Sequence, residues 1–359
     1  MISVLAIGLP FLINILIIPF LIFLAHRYAW YDHSNHRKIH TGEMPRIGGI
    51  GIFLSFFLGG VLLFILHESE LGFAFHWLKD FSPLILAVFA VHLVGLLDDF
   101  TNLRARHKLW IQIAVALFIV STKNYSSFTF LTFAETSFPG PIIGFIVSFI
   151  WIVGVTNSIN LIDGMDGLAG GVTCLAFFFM GLTALYLENT TGTLLSFLLF
   201  GSVVGFLFFN LPRAKIFMGD SGSLFLGIMA ALLPFYSLSD NLQGPIKILM
   251  AASFLIIPIM DTLIAVIRRT KRKKPFYTPD QEHLHHKLLY CGFKTRHILF
   301  IMYGITTAAS GGVYWWVTHP SRSALLFILL VWIASAVFFY VMNRKFRAAQ
   351  AAHTAQEQV

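Results

Sequence analysis

The sequence predicts an all-α polytopic membrane protein with about eleven transmembrane helices, and three observations lead there. Residues of the AVILMFWYC set make up 57% of the 359 positions, and the mean hydropathy is +0.78. Charged residues make up only 12%, where a soluble domain carries about 25%, so the polar groups are too few to cover a water-facing surface. Apolar runs of the ~20 residues needed to cross a ~30 Å hydrocarbon core recur along the chain. Lipid offers no water to backbone groups, and runs this long exceed barrel strands, which leaves helices.

The N-terminal run MISVLAIGLPFLINILIIPFLIFLA has no cationic leader and no A-x-A cleavage site, so it reads as a retained first span over 3–25. Further spans are predicted over 47–66, 81–97, 109–121, 139–157, 170–187, 194–210, 221–237, 246–267, 298–318 and 324–342, the fourth being the shortest. Together they make one transmembrane domain over 1–342. The polar residues 343–359 are expected to form a disordered cytoplasmic tail. No internal repeat or low-complexity segment interrupts this order. Cys174 lies in an apolar run and Cys291 in a basic loop, which argues against a disulfide.

Charge assigns the sides. Of the 25 Lys and Arg, 21 fall in alternate connections and in the tail after 342, and only Lys79, Lys123, Lys247 and Arg322 fall in the other set. Cytoplasmic loops collect such cations, so the N-terminus is expected outside and the C-terminus in the cytoplasm. The net charge of +8 is then a topology signal and not a nucleic-acid signal. RRTKRKKP (268–275) reads either as a topology anchor or as a patch for anionic lipid.

Five acids, Asp98, Asp99, Asp163, Asp166 and Asp220, lie at the cytoplasmic ends of predicted spans in three different loops. Ionisable groups near lipid are costly and usually functional. In GLLDDFTNLRARHKLWIQ (95–112), the adjacent Asp98 and Asp99 repel and call for a cation nearby. Mg²⁺ is bound in this way, by one or two carboxylates plus substrate phosphates; the alternative is a solvated helix end. In TNSINLIDGMDGLAGG (156–171), Asn157, Asn160, Asp163 and Asp166 recur every three residues and cannot share one helical face. Gly164 and Gly167 point to a broken helix, tolerated at membrane depth only where it lines an enclosed cavity.

In FNLPRAKIFMGDSGSLFLG (209–227), Asp220, Ser221 and Gly222 head a span. Its free N–H groups could take a phosphate, or the acid and serine could simply cap the helix. Phe217 is either a stacking platform or the edge of the hydrophobic belt. In TPDQEHLHHKLLYCGF (278–293), His283, His285 and His286 lack zinc-site spacing. They fit a loop that donates hydrogen bonds to a phosphate, or a plain solvated loop. His33, His36, Arg37, Lys38, His40 and Arg46 crowd the first cytoplasmic loop, as anion contacts or topology cations. His92 and Asp261, inside spans, are expected to hydrogen-bond between helices.

PRIGGIGIF (45–53), GLLDDF (95–100), NSINLIDGMDGLAGG (157–171), KIFMGDSGS (215–223) and EHLHH (282–286) together resemble the polyprenyl-phosphate N-acetylhexosamine-1-phosphate transferases. These are the MraY/WecA/TagO-like enzymes of glycosyltransferase family 4. The histidine motif and the eleventh span are more similar to the WecA/TagO branch than to MraY. The resemblance implies catalytic roles for Asp98, Asp99 and Asp220. It implies Mg²⁺, with Mn²⁺ as a substitute, on Asp220 with Asn157 as an amide ligand. It places Lys108, Asn160, Asp163, Asp166, Asn210, Phe217, His283, His285 and His286 at the substrates, with Phe217 stacking on uracil. Asn102 departs from the pattern, standing where the translocases carry a lysine, with Arg104 as a substitute.

The reaction implied is transfer of N-acetylhexosamine-1-phosphate, most simply GlcNAc-1-phosphate, from a UDP-sugar to undecaprenyl phosphate. UMP is released, and the lipid-linked product starts a cell-envelope polysaccharide. The implied location is the bacterial cytoplasmic membrane, with membrane lipid as surroundings, no nucleic-acid partner, and either a monomer or a homodimer. Two readings from other classes compete. A secondary transporter would share the helix count and broken segments but place its acids near the midplane. A metal-binding sensor would be built on the HLHH loop.

Overall fold

A computed structural model describes residues 1–31, 44–67, 74–122, 140–238, 242, 244–273 and 282–357. The predicted all-α class holds throughout these residues, where the one strand-like contact is an isolated bridge between Tyr31 and Pro45. The chain runs through α1 (Ile2–Tyr28), α2 (Gly48–Leu66), α3 (Ala74–Thr101), α4 (Ala105–Val120), α5 (Gly140–Ile162), α6 (Leu168–Tyr186) and α7 (Thr190–Asn210). It continues through α8 (Gly219–Ser237), α9 (Gly244–Phe254), α10 (Ile256–Lys271), α11 (Leu284–Tyr290), α12 (Thr295–Thr318) and α13 (Arg322–Glu357). His33, His36, Arg37, Lys38 and His40 lie outside the described residues.

The expected runs are all helical, and they differ in how each is built. Among the described residues nine helices are long and apolar enough to cross a membrane: α1, α2, α3, α5, α6, α7, α8, α12 and α13. The run expected at 246–267 is the pair α9 and α10, bent by 100°. Pro258 accounts for the break, because in a continuous helix its ring would clash with the carbonyl of Phe254, four residues back. The expected span at 109–121 is α4, whose 16 residues reach only ~24 Å at ~1.5 Å per residue. The tail expected to be disordered is helical as far as Glu357. NRKFRAAQAAHTAQE is rich in Ala, Gln, Lys and Arg, which are good helix formers.

The core is centred on α8. Buried residues make up 94% of its apolar window, against 22% for α1 and for α13, whose Leu16, Phe20, Leu330 and Ile333 are exposed as lipid-facing residues should be. α8 is also the least apolar of the nine, because Gly219, Ser221, Gly222, Ser223, Gly227, Ala230 and Ala231 replace bulk with closeness. Without driving force from water, membrane helices associate through such small residues. A Cβ on Gly95 of α3 would stand 2.6 Å from the Cα of Ser221, and one on Gly49 of α2 would stand 2.5 Å from the Cα of Gly222. His92, as expected, bonds between helices: its Nδ1 donates to the Ser221 carbonyl at 3.1 Å while its ring stacks on Phe53 at 3.8 Å. The ends of α3, α5 and α7 thereby gather around the head of α8.

Two alanine substitutions separate this packing from helix propensity. Gly95→Ala is expected to lower stability by about 1–3 kcal/mol through overpacking. Gly154→Ala, where a Cβ meets nothing within 4 Å, is expected to be neutral or stabilising by up to about 1 kcal/mol. Thermal inactivation of the two variants in detergent checks the opposite signs.

Candidate active site

The break predicted in NSINLIDGMDGLAGG is present: α5 stops at Ile162 and α6 starts at Leu168. Gly167 is in the left-handed region at φ +75°, a conformation that costs a side-chain-bearing residue roughly 1–2 kcal/mol. α5 runs antiparallel to α8. A Cβ on Gly227 would stand 2.7 Å from the Thr156 carbonyl, and Asn160 Nδ2 donates to Ser223 Oγ at 2.8 Å. Continuing that register brings Asp163 level with Asp220. Asn157 is left opposite Leu226, six residues from Asp220 and so ~9 Å deeper. By this register Asn160 is nearer to Asp220 than Asn157, the amide expected as a ligand.

The head of α8 carries the densest contacts. Gly219 takes φ +74°, which turns the chain into the helix. The backbone N–H of Asp220 donates to Asp99 Oδ1 at 2.7 Å, and that of Ser221 donates to Asp99 Oδ2 at 3.0 Å. Arg46 bridges the acids, its Nη2 lying 2.8 Å from Asp220 Oδ1 and its Nε 3.4 Å from Asp99 Oδ1. Lys108 Nζ bonds Asp98 Oδ2 at 3.1 Å and also Asp220 Oδ2. Burial alone would lower the Lys108 ammonium, but the charges of Asp220 and Asp98 outweigh it and hold the group above its ordinary pKa. Two expectations change here. These two α8 amides are closed to a phosphate because Asp99 takes them, and Asp99 is a positioning residue because both its oxygens cap the backbone of α8.

The loop 211–218 is tied down by two more predicted site residues. Asn210 Oδ1 accepts from the Gly167 N–H at 3.0 Å and its Nδ2 donates to the Ile216 carbonyl at 2.8 Å, so it latches the broken helix to the loop. Asp166 Oδ2 accepts from the Ala214 N–H at 3.1 Å. Asn210 is therefore scaffold where a substrate contact was expected. The Phe217 ring is half-buried, and its backbone pairs with Pro45 and Gly48. Asn102 explains its departure from the family pattern: at φ 50° it ends α3, its N–H donating to the Asp98 carbonyl at 2.8 Å. Arg104 is exposed where α4 begins.

The histidines arrive on α11. Asp261 takes both the His283 Nδ1–H, at 2.7 Å, and the Leu284 N–H, at 2.9 Å, so one buried acid orients the ring and caps the helix. His285 is buried against the α5–α6 break, where a Cβ on Gly164 would stand 2.6 Å from its Nε2. That Nε2 has no hydrogen-bond partner among the described residues. Burial first, then neighbouring His286, whose ring is 4.1 Å away, pushes the His285 imidazole down to about 3. It is neutral at physiological pH.

The site thus joins Asp98, Asp163 and Asp220 with Arg46, Lys108 and Asn160, and the histidines close it beside Gly164. Burial and then the Asp220 charge push Asp163 up to about 7, and a cation beside it would favour its charged form. Among the described residues no three His, Cys, Asp or Glu side chains converge tightly enough to enclose a metal ion. A site of one or two carboxylates completed by substrate oxygens is what Mg²⁺ favours, and the donors are hard oxygens throughout. Asp220 supplies a carboxylate there, and Asn160, whose Nδ2 is taken by Ser223, leaves its amide oxygen on the same side, so the residues fit the ion. Sequence reasoning left Arg46 undecided and missed Tyr303, whose hydroxyl donates to the Gly167 carbonyl at 2.5 Å. The small residues of GGIGI after Arg46, which let α2 approach α8, are the signal that could have found Arg46; nothing in the sequence marks Tyr303.

Comparison with known proteins bears on the same residues. Residues 81–238, which include both aspartate-bearing span ends and the head of α8, match the profile described as Glycosyl transferase family 4. The chain is 33% identical over 340 residues to a Bacillus subtilis protein named probable undecaprenyl-phosphate N-acetylglucosaminyl 1-phosphate transferase, covering 94% of this chain and 92% of that one. It is 31% identical over 313 residues to a Mycobacterium tuberculosis decaprenyl-phosphate N-acetylglucosaminephosphotransferase, covering 78% and 74%. An Escherichia coli undecaprenyl-phosphate alpha-N-acetylglucosaminyl 1-phosphate transferase is 27% identical over 354 residues, covering 95% and 91%.

Two measurements test these roles. Asp99→Ala is expected to cost about 2–5 kcal/mol of stability, because it leaves two buried N–H groups unpaired. Asp98→Asn keeps an acceptor for Lys108 and is expected to stay near wild type in the same unfolding assay. The second is a pH series. Since the folded-state pKa of His285 lies below the unfolded 6.5, the unfolded chain binds the extra proton, and stability drains away as pH falls from 6.5 toward 3. Between pH 7 and pH 5 the wild type should lose about 2 kcal/mol more than His285→Gln; equal losses would show His285 to be charged in the fold.

Proposed function

Because the chain belongs to glycosyl transferase family 4, we propose that it transfers N-acetylglucosamine-1-phosphate from UDP-N-acetylglucosamine to undecaprenyl phosphate. The observation that carries this reading is the meeting of Asp98, Asp163 and Asp220 with Arg46 and Lys108 at one end of the bundle. A soluble sugar nucleotide and a phosphate anchored at the bilayer surface meet only at such an end. With the cation bias of the loops, that end is the cytoplasmic one and the N-terminus is outside. Acids at helix ends also disfavour the transporter reading, which needs them near the midplane.

An oxygen of the acceptor phosphate attacks the sugar-bearing phosphorus. The bond from that phosphorus to the bridging oxygen breaks, and UMP leaves. Such transfers depend on positioning and charge more than on covalent help from the protein. Asp98 is placed to orient the acceptor: Lys108 fixes its Oδ2, and Oδ1 remains to accept from the phosphate O–H. A phosphate's second pKa is about 6, so steering matters more here than base strength. Lys108 and Arg46, pinned on carboxylates, are donors already aimed into the site. Asn160, Asp163 and His285 stand across from them, against the broken helix where the sugar nucleotide is held. Asp220 would hold Mg²⁺ or Mn²⁺, with Asn160 nearby, and the ion would supply neutralisation of the diphosphate charge.

The test is UMP release by purified protein given UDP-N-acetylglucosamine, undecaprenyl phosphate and Mg²⁺. Asp220→Asn is expected to lower turnover at least 100-fold, on the order of removing one transition-state charge contact, while the protein stays inserted and monodisperse. Solute uptake without UMP release would overturn the enzyme reading, and wild-type turnover in Asp220→Asn would remove Asp220 from the site.

A further inference from the structure

The turn that carries Asp163 and Asp166 ends at Gly167, and side chains from two other helices hold the backbone of that residue. On one side Asn210 of α7 accepts the Gly167 N–H at 3.0 Å. On the other, Tyr303 of α12 donates its hydroxyl to the Gly167 carbonyl at 2.5 Å. That carbonyl also accepts the Gly171 N–H, at 2.8 Å, in the first turn of α6. The ring reaches its place only because Gly171 has no side chain: a Cβ there would overlap the Tyr303 hydroxyl. The last glycine of the GLAGG run is thus a seat for Tyr303. α12 lies outside the matched span 81–238, and Tyr303 reaches the turn through its backbone.

We propose that Tyr303 is a positioning residue for sugar-nucleotide binding, acting through the Gly167 carbonyl to hold the Asp163–Gly167 turn in its binding shape. The physical basis is that Gly167 sits at φ +75° with no side chain of its own to restrict it, so backbone freedom there is greatest. A partner on N–H and carbonyl alike removes that freedom before the ligand arrives, which lowers the ordering cost of binding. Hydrogen bonding at the carbonyl also polarises the peptide group, making the Leu168 N–H, which donates to Met165 at 3.0 Å, a better donor within the same turn. The acceptor side, Asp98 and Lys108 on α3 and α4, is tied instead to Asp220. The inference rests on the transferase reading for its substrates, though the latch itself is a property of the fold.

The experiment is Tyr303→Phe, which deletes one oxygen and keeps the ring, with Gly171→Ala as a second variant that displaces the hydroxyl from the other side. In the UMP-release assay both are expected to raise KM for UDP-N-acetylglucosamine about fivefold to twentyfold, the ratio set by one lost hydrogen bond. KM for undecaprenyl phosphate is expected to stay within about twofold, and the double variant is expected to be no worse than the weaker single one, since both break one contact. Equal rises in the two KM values would mean general loosening and overturn the proposal, as would unchanged values. Amide hydrogen exchange over 163–170, read without substrate, is expected to speed up in Tyr303→Phe; unchanged exchange also overturns it. If wild-type protein releases no UMP, the transferase reading fails, and the exchange result still decides whether Tyr303 holds the turn.

Discussion

Two backbone N–H groups, of Asp220 and Ser221, donate to the two oxygens of Asp99, and the arrangement of the bundle follows from that cap. A helix leaves its first donors unpaired, and α8 is too deeply buried for water to serve them. The acceptor has to come from a neighbour. A carboxylate suits the place twice over, because it takes both hydrogen bonds and faces the positive end of the helix dipole. To reach it α3 has to approach without bulk, which is why Gly95 lies on the Asp220–Ser221 backbone. The same approach sets Asp98 one residue earlier, beside Asp220 and Lys108. The adjacent acids therefore have divided labour: one closes the fold and the other faces the chemistry.

The same division runs through the rest of the site. Asn210 is consumed between Gly167 and Ile216, and Asp166 gives one oxygen to the loop at Ala214. Asp261 is spent on His283 and the head of α11. Each polar group is costly at membrane depth unless paired, so the fold must provide partners for the groups that build the site. What remains for substrates is the smaller set that the scaffold leaves facing inward: Asp98, Asn160, Asp163, Asp220, Lys108, Arg46 and the imidazole of His285.

The all-α class and most spans were legible because apolar runs and a scarcity of charge are one-dimensional signals. The glycines that interrupt NLIDGMDGLAGG announced the helix break in the same way. The bend at Pro258 was hidden, because hydropathy does not report where a helix turns, whereas the shortness of α4 already showed in the fourth run. Asp98, Asp163 and Asp220 could be gathered from their places at span ends. Their partition into scaffold and reacting groups could not, since Asp99 differs from Asp98 only in facing the α8 backbone. Asn157 and Asn160 are equally polar in sequence, and only the Gly227–Thr156 contact, which sets the α5–α8 register, tells them apart. Tyr303 is one aromatic among many in a chain with 10 Tyr and 38 Phe.

Charge then decides how such a site receives its ligands. Asp99 is matched by the α8 dipole and Arg46, which leaves Asp98, Asp163 and Asp220 facing Lys108 and the far side of the Arg46 guanidinium. Three carboxylates thus face two cations, and burial together with the Asp220 charge already holds Asp163 toward its neutral form. A diphosphate entering alone would add like charge in a region of low dielectric, where repulsion is strong. A diphosphate accompanied by a divalent cation adds far less, and its oxygens complete a coordination shell that two carboxylates leave open. Lys108, shared between Asp98 and Asp220, can then turn toward an acceptor phosphate without leaving an acid uncompensated. On the proposed reading, the excess of carboxylates is what couples the entry of the sugar nucleotide to its cation.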